Sequence, residues 1–146
     1  MKSTAYLTVG LGAETVGAPL MQVREVVLYR APNQVPHANG GLLGMIHLRD
    51  RVMAVLDLAH LLGLSGRTAV AYQHVVVVEI DGALVGLAVD EVKGIVEAPA
   101  AGLMPPPDVA GGTGGSIVGI LLHGDRLITC IDLATLPVSR AAALAA

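Results

Sequence analysis

Apolar and polar positions in this chain fall into short runs separated by turn residues, a spacing that predicts strands. Residues 6–11 alternate, break at Gly12-Ala13-Glu14 and resume at Thr15, which predicts a first hairpin; Pro19 ends or deflects its second strand. Residues 20–29 (LMQVREVVLY) fit a strand, but Leu20, Val23 and Val27 also fit helical spacing, so both readings stand. Residues 31–41 are turn chemistry, with two prolines, two asparagines and two glycines. Apolar residues 42–48 lead to a polar interruption at Arg49-Asp50-Arg51, a strand at 52–56 and a short helix at 57–64 capped by Asp57. Residues 65–72 form a connector. A buried strand at 75–80, a tight turn at Asp81-Gly82 and a return at 84–89 predict a second hairpin. Residues 90–96 repeat the ambiguity of 20–29, and 98–116 read as a long breaker-rich loop. Residues 117–122 and 127–131, joined at His123-Gly124-Asp125, predict a last hairpin before a short helix capped by Asp132 and cut by Pro137. The Ala-rich end is expected to fray.

This pattern occurs twice. GMIHLRDRVMAVLDLAHL (44–61) and GILLHGDRLITCIDLATL (119–136) align without a gap and share seven of eighteen residues, among them Asp50/Asp125, Arg51/Arg126, Asp57/Asp132 and Leu58/Leu133. A fainter echo at an offset of 69 lays Val16-Gly17 on Val85-Gly86, Val23 on Val92 and Arg24 on Lys93. Two copies at so long a period predict paired β-rich units of about five strands each rather than a solenoid. Where the copies agree, the shared requirement is architectural. Arg49 faces Gly124, so one unit carries a polar anchor that the other lacks.

Composition narrows the picture. The 146 residues are 53% hydrophobic and 14% charged, with no Phe or Trp, so branched side chains must fill the core. Halves of roughly 65 residues are marginal alone, and the two are expected to share apolar surface. A net charge of -3 and only three aromatic residues, all Tyr, give no basic, ring-bearing platform for nucleic acid. No signal peptide or membrane-spanning run is read, and the single Cys130 excludes an internal disulfide; a cytoplasmic protein without direct membrane insertion is the expectation.

Catalytic chemistry leaves no trace. Gly63-Leu64-Ser65-Gly66-Arg67 departs from a nucleophile elbow at Arg67, and Gly10-Leu11-Gly12 lies in a hairpin turn, the wrong context for a dinucleotide loop. His37, His47, His60, His74 and His123 show no metal-ligand spacing. No enzyme activity, cofactor or metal is expected. Asp57 and Asp132 read as helix caps, and Cys130, mid-strand, as a small core residue.

The ordered motifs resemble the CheW family, adaptors of bacterial chemosensory arrays. YLTVGLGAETVGAPLMQVREV is similar to the family's opening hairpin and its V-x-E-I element, here Val23-Arg24-Glu25-Val26. GMIHLRDRVMAVLDLAHLLGL resembles its G-V-x-N-L-R-G-x-x-x-P-x-x-D-L segment, with His47, Asp50 and Ala54 standing where the family usually has Asn, Gly and Pro. VVVVEIDGALVGLAVDEV, LMPPPDV and GILLHGDRLITCIDLATL resemble the second-half hairpin and the closing elements.

The resemblance implies an all-β fold of two interlocked five-stranded SH3-like barrels in a single CheW-like domain spanning 1–146. The first barrel is placed at approximately 14–72 and the second at approximately 73–137, with the N-terminal strand able to cross between them. It implies a non-enzymatic role, coupling the regulatory domain of a CheA-type histidine kinase to the cytoplasmic tips of methyl-accepting chemoreceptors. By motif match the partner-binding positions are Val23, Glu25, Arg49, Val75, Val76, Gly86 and Val92. Branched Val side chains would floor a groove for the receptor helix, Arg49 would take a carboxylate, and Glu25 would pair with a basic residue or hold Arg49. Val75 and Val76, being consecutive, point to opposite faces, so at most one is expected to line a surface. Asp50 is expected to accommodate a left-handed turn. An adaptor of a non-swimming chemosensory pathway and a small-ligand-binding β-barrel are the alternative readings.

Overall fold

The computed structural model describes residues 3–34, 41–64, 71–99, 102–105 and 116–138. His37, Ser65, most of the 98–116 loop and the Ala-rich end lie outside the described residues. The first strands are β1 (Ser3–Leu11) and β2 (Glu14–Pro19), and a 3-10 turn at Leu20–Gln22 leads into β3 (Val23–Leu28). The ambiguous segment is therefore both things in succession. Pro19 ends the pairing of β2, and the turn redirects the chain into strand geometry. β4 (Leu42–Leu48), β5 (Arg51–Asp57) and the one-turn helix α1 (Leu58–Leu61) follow. Then come β6 (His74–Ile80), β7 (Ala83–Val89), β8 (Glu91–Pro99), β9 (Ile117–His123) and β10 (Arg126–Ile131). Asp57 and Asp132 cap as expected: each carboxylate accepts the N–H two residues on, Ala59 at 3.0 Å and Ala134 at 3.1 Å. The second cap opens a 3-10 turn at Leu133–Thr135 rather than an α-helix.

The strands form two five-stranded sheets. A central sheet runs β3-β6-β7-β5-β4, and a terminal sheet runs β8-β1-β2-β10-β9. Advancing each strand to its repeat partner turns one order into the other. The registers agree as well: Ala54 pairs with Val85 and Val55 with Gly86 in the parallel β5–β7 ladder, as Thr129 pairs with Val16 and Cys130 with Gly17 in β10–β2. Bulges recur at Arg24 and Lys93. The duplication is thus a pseudo-two-fold operation on backbone geometry.

The sheets do not follow the expected division at 72/73. The central sheet takes the continuous stretch 23–89, and the terminal sheet takes the β1–β2 hairpin with everything from 91 to 131. The whole hairpin crosses between units, not just the first strand, and the β6–β7 hairpin crosses in return. Alternation along the strands builds three apolar layers. Leu7, Val9 and Leu11 from one sheet meet Leu56, Val76, Val78 and Leu87 from the other in a shared core. Tyr6, Leu121, Ile128 and Cys130 fill the inner face of the terminal sheet. Met53, Val55, Val75, Val77 and Ala88 fill that of the central sheet. The VVVV run is apolar throughout because both faces of β6 are covered.

Candidate partner-binding site

Arg49 and Asp50 are the two residues between Leu48 and Arg51, which pair across the β4–β5 hairpin. The backbone turns left-handed at Arg49, with φ of 56°, not at Asp50 as expected. The repeat supplies the reason: the equivalent residue of the β9–β10 turn is Gly124, with φ of 62°. This turn needs its first residue in the region that favours glycine, and here an arginine occupies it.

That conformation aims the Arg49 side chain across the mouth of the central sheet. Its guanidinium donates to both Glu25 carboxylate oxygens, at 2.5 and 3.0 Å. Glu25 lies on β3 and Arg49 at the end of β4, the two edge strands of that sheet, so the bidentate pair bridges the sheet's open edges. The hydrogen bonds from Arg49 hold the Glu25 carboxyl below its ordinary range, and the same bonds raise the Arg49 guanidinium. Arg49 remains 68% exposed. A guanidinium has five N–H donors, and the two bonds to Glu25 leave the others available to a partner.

The other five positions do not gather around this pair. Val75 and Val76 are 1% and 2% exposed, facing the central inner layer and the shared core respectively. They point to opposite faces as expected, but neither reaches the surface, because β6 is covered on both sides. The sequence allows at most one of them at the surface, and the structure exposes neither. A Cβ on Gly86 would lie 2.7 Å from Val75 Cγ1, so Gly86 is a close-packing position inside the central sheet. Val23 and Val92 are half-buried, pack on the shared core and lie at the start of the two strands by which the chain crosses between sheets, first in β3 and second in β8. Glu25 and Arg49 are thus the polar pair at the surface, Val23 and Val92 border the sheet junction, and the remaining three support them from within.

Motif matching overlooked the exposed apolar residues of the edge regions. Val26 and Leu28 on β3 and Val52 on β5 are exposed, as are Ile95 on β8, Leu122 on β9 and Leu127 on β10. Ile95 is the repeat equivalent of Val26, and Leu127 of Val52. Leu122 and Leu127 sit directly opposite one another across the hairpin. The signal was available in the strand alternation, where apolar residues occupy outward positions. Among the described residues, no group of three or more His, Cys, Asp or Glu side chains could hold a metal ion. No helix among them is long and apolar enough to cross a membrane.

Comparison with known proteins bears on this architecture directly. The model of the CheW-like domain matches residues 5–140. The chain belongs to the CheW-like domain family. A chemotaxis protein CheW of Rhizobium meliloti (strain 1021) is 30% identical over 115 residues, covering 78% of this chain and 74% of the relative. A chemotaxis protein CheW of Treponema pallidum (strain Nichols) is 22% identical over 132 residues, covering 87% and 78%. The crystal structure of the scaffolding protein TtCheW from Thermoanaerobacter tengcongensis superposes with a TM-score of 0.79 at 27% identity, covering 90% of each chain. The CheW-like assignment makes the chain a scaffold-type domain of chemotaxis signal transduction and accounts for its paired five-stranded sheets.

Proposed function

We propose that this CheW-like domain is a non-enzymatic, cytoplasmic adaptor that couples a CheA-type histidine kinase to the cytoplasmic tips of chemoreceptors. The observation that carries this reading is the Arg49–Glu25 pair, an exposed bidentate anchor held in a strained turn on one unit of a pseudo-symmetric molecule. Backbone strain retained at the surface marks a position where the side chain's aim matters more than local ease. The site suits a partner helix that offers acidic or amide groups beside apolar ones. The free donors of Arg49 suit the former, and the apolar border at Val23 and Val92 suits the latter. The outward apolar residues of the two sheets supply like faces at pseudo-equivalent places, Val26 with Val52 and Ile95 with Leu127. Two such faces on one molecule suit contact with more than one copy of a partner.

The test is calorimetric titration of the full chain with a receptor-tip fragment and, separately, with the kinase regulatory domain. Arg49→Glu is expected to weaken receptor binding by about tenfold or more, because a charge-assisted bidentate contact becomes a repulsion. Kinase binding should hardly change. Arg49→Gly serves as the folding control, since glycine relaxes the left-handed turn. Its melting temperature should match or exceed that of the parent while receptor binding falls. Leu127→Asp should show the reverse selectivity. Absence of binding to both partners at about 50 µM would overturn the proposal, and unfolding of Arg49→Gly would make Arg49 an architectural residue.

A further inference from the structure

The repeat that places an ion pair over the central sheet leaves the corresponding place in the terminal sheet open. A cavity of about 610 Å³ lies on the inner face of the terminal sheet, lined from all five of its strands. Its wall includes Thr8, Thr15, Gly94 and Ile128, with Lys93 and Arg126 also lining it. At three wall positions, Thr8, Thr15 and His123, a more polar residue stands where the central sheet has an apolar one, whereas Lys93, Asp125 and Arg126 keep the charges of Arg24, Asp50 and Arg51. Thr8 corresponds to Val77, Thr15 to Leu84, His123 to Leu48 and Ile128 to Met53. All four central residues pack in or against that sheet's inner apolar layer. Gly94 and Gly124 stand where Glu25 and Arg49 form their bridge. A Cβ on either glycine would meet nothing within 4 Å. The central sheet is bridged at this place; the terminal sheet is open there and more polar at Thr8, Thr15 and His123.

The lining has a definite chemistry. Thr8 and Thr15 are only 4% and 6% exposed, unusual for hydroxyls unless they serve a purpose within the wall. The Thr8 hydroxyl donates to the Gly94 carbonyl at 3.0 Å. Thr15 accepts from Lys93 Nζ at 3.1 Å, which holds the ammonium at the cavity. Among the described residues, neither Lys93 nor Arg126 has a carboxylate within salt-bridge distance. Asp125 also lines the cavity, the Glu91 carboxylate and the Lys93 stem both lie within 3.4 Å of the point a Gly10 Cβ would occupy, and the His123 ring adds an N–H donor. A planar guanidinium, an ammonium and a hydroxyl around one space form a donor set for a multi-oxygen anion. Val96 and Ile128 supply an apolar wall beside it.

We infer that the terminal sheet binds the phosphate group of a small phosphomonoester, or free phosphate, in this cavity. Arg126 and Lys93 are the anion ligands, and the Val96–Ile128 wall receives the ester's carbon portion. The inference goes beyond the adaptor reading and does not depend on it, because the cavity lies in the sheet that lacks the Arg49–Glu25 pair. A cavity of this size falls within the ordinary range for small-molecule sites.

The test is a titration of the isotope-labelled full chain with inorganic phosphate and, in parallel, with glycerol phosphate, following backbone amide resonances at constant ionic strength. Saturable shifts centred on Thr8, Thr15, Lys93 and Arg126 are expected. Tighter binding of glycerol phosphate would identify an ester as the ligand; equal or tighter binding of inorganic phosphate would identify the free ion. Arg126→Ala should weaken binding by about tenfold or more. Gly94→Leu, which places a side chain in the empty mouth, should abolish it while leaving the rest of the spectrum in place. Non-saturating shifts, shifts reproduced by sodium chloride, or undiminished binding in folded Gly94→Leu or Arg126→Ala would each overturn the inference.

Discussion

Arg49 and Cys130 show how one residue's setting differs from its type. Arginine at a left-handed φ is disfavoured, yet Arg49 holds that position because the hairpin geometry is fixed by pairing on either side of it. Cys130 is fully buried between Tyr6 and Ile128 in the inner layer of the terminal sheet. Burial pushes its thiol up to about 11 from an ordinary value near 9. The folded state therefore holds the thiol proton more tightly than the unfolded chain does. The associated stability is complete below pH 9 and is lost as pH rises through the folded value. Chemical denaturation between pH 8 and about 11 should show stability falling by up to about 1.4 kcal/mol per pH unit in the upper part of that window. The buried Tyr6 hydroxyl, raised first by desolvation and then by Cys130, acts in the same direction. Cys130→Val installs the residue that the other repeat has at Val55, and should flatten the profile by the cysteine's share. An unchanged profile would assign the whole effect to other groups.

At the scale of elements, the parallel contact between β5 and β7 sets the tightest constraint. Gly86 pairs with Val55 in that ladder and faces Val75 across the antiparallel β6–β7 hairpin's inner side. Adding a methyl group forces Val75 to shift within a closed layer. Gly86→Ala should cost about 1–3 kcal/mol in urea denaturation, the usual range for overpacking. Any loss of receptor coupling in that variant should be recovered under stabilising conditions. Loss that persists in fully folded protein would give Gly86 a direct contact role. The same elements mark where reading the sequence stopped short. The strand at 75–80 was legible as buried from its unbroken apolar run. Which residues faced which core depended on the sheets stacked on either side, and a run of four valines has no alternation to reveal that. The segment at 20–29 stayed ambiguous because it contains two elements, and a window averaging over both sees neither period cleanly.

The whole molecule is held together by exchange. Each sheet combines a hairpin from one repeat with three strands from the other, and the shared core takes residues from both sheets. Separate fragments 1–72 and 73–146 should each lack stable structure, since β1 and β2 would lose β8 and β10 while β6 and β7 would lose β3 and β5. Mixing them in equal amounts should restore the β-sheet circular dichroism of the intact chain. Independent folding of either fragment would show that the crossings are not needed.

What the sequence determined by itself is local and periodic: the strands, the turn chemistry, the two Asp caps, the duplication and the family to which its motifs belong. These are carried by residues close along the chain, where alternation and backbone preference act directly. Tertiary structure alone decided which hairpin joined which sheet, why Val75, Val76 and Gly86 are interior, and how Arg49 meets Glu25 across 24 residues. It also decided that one sheet is bridged by an ion pair where its twin is open. Each of those outcomes depends on packing between distant segments, where burial of apolar surface rather than local preference selects the partner.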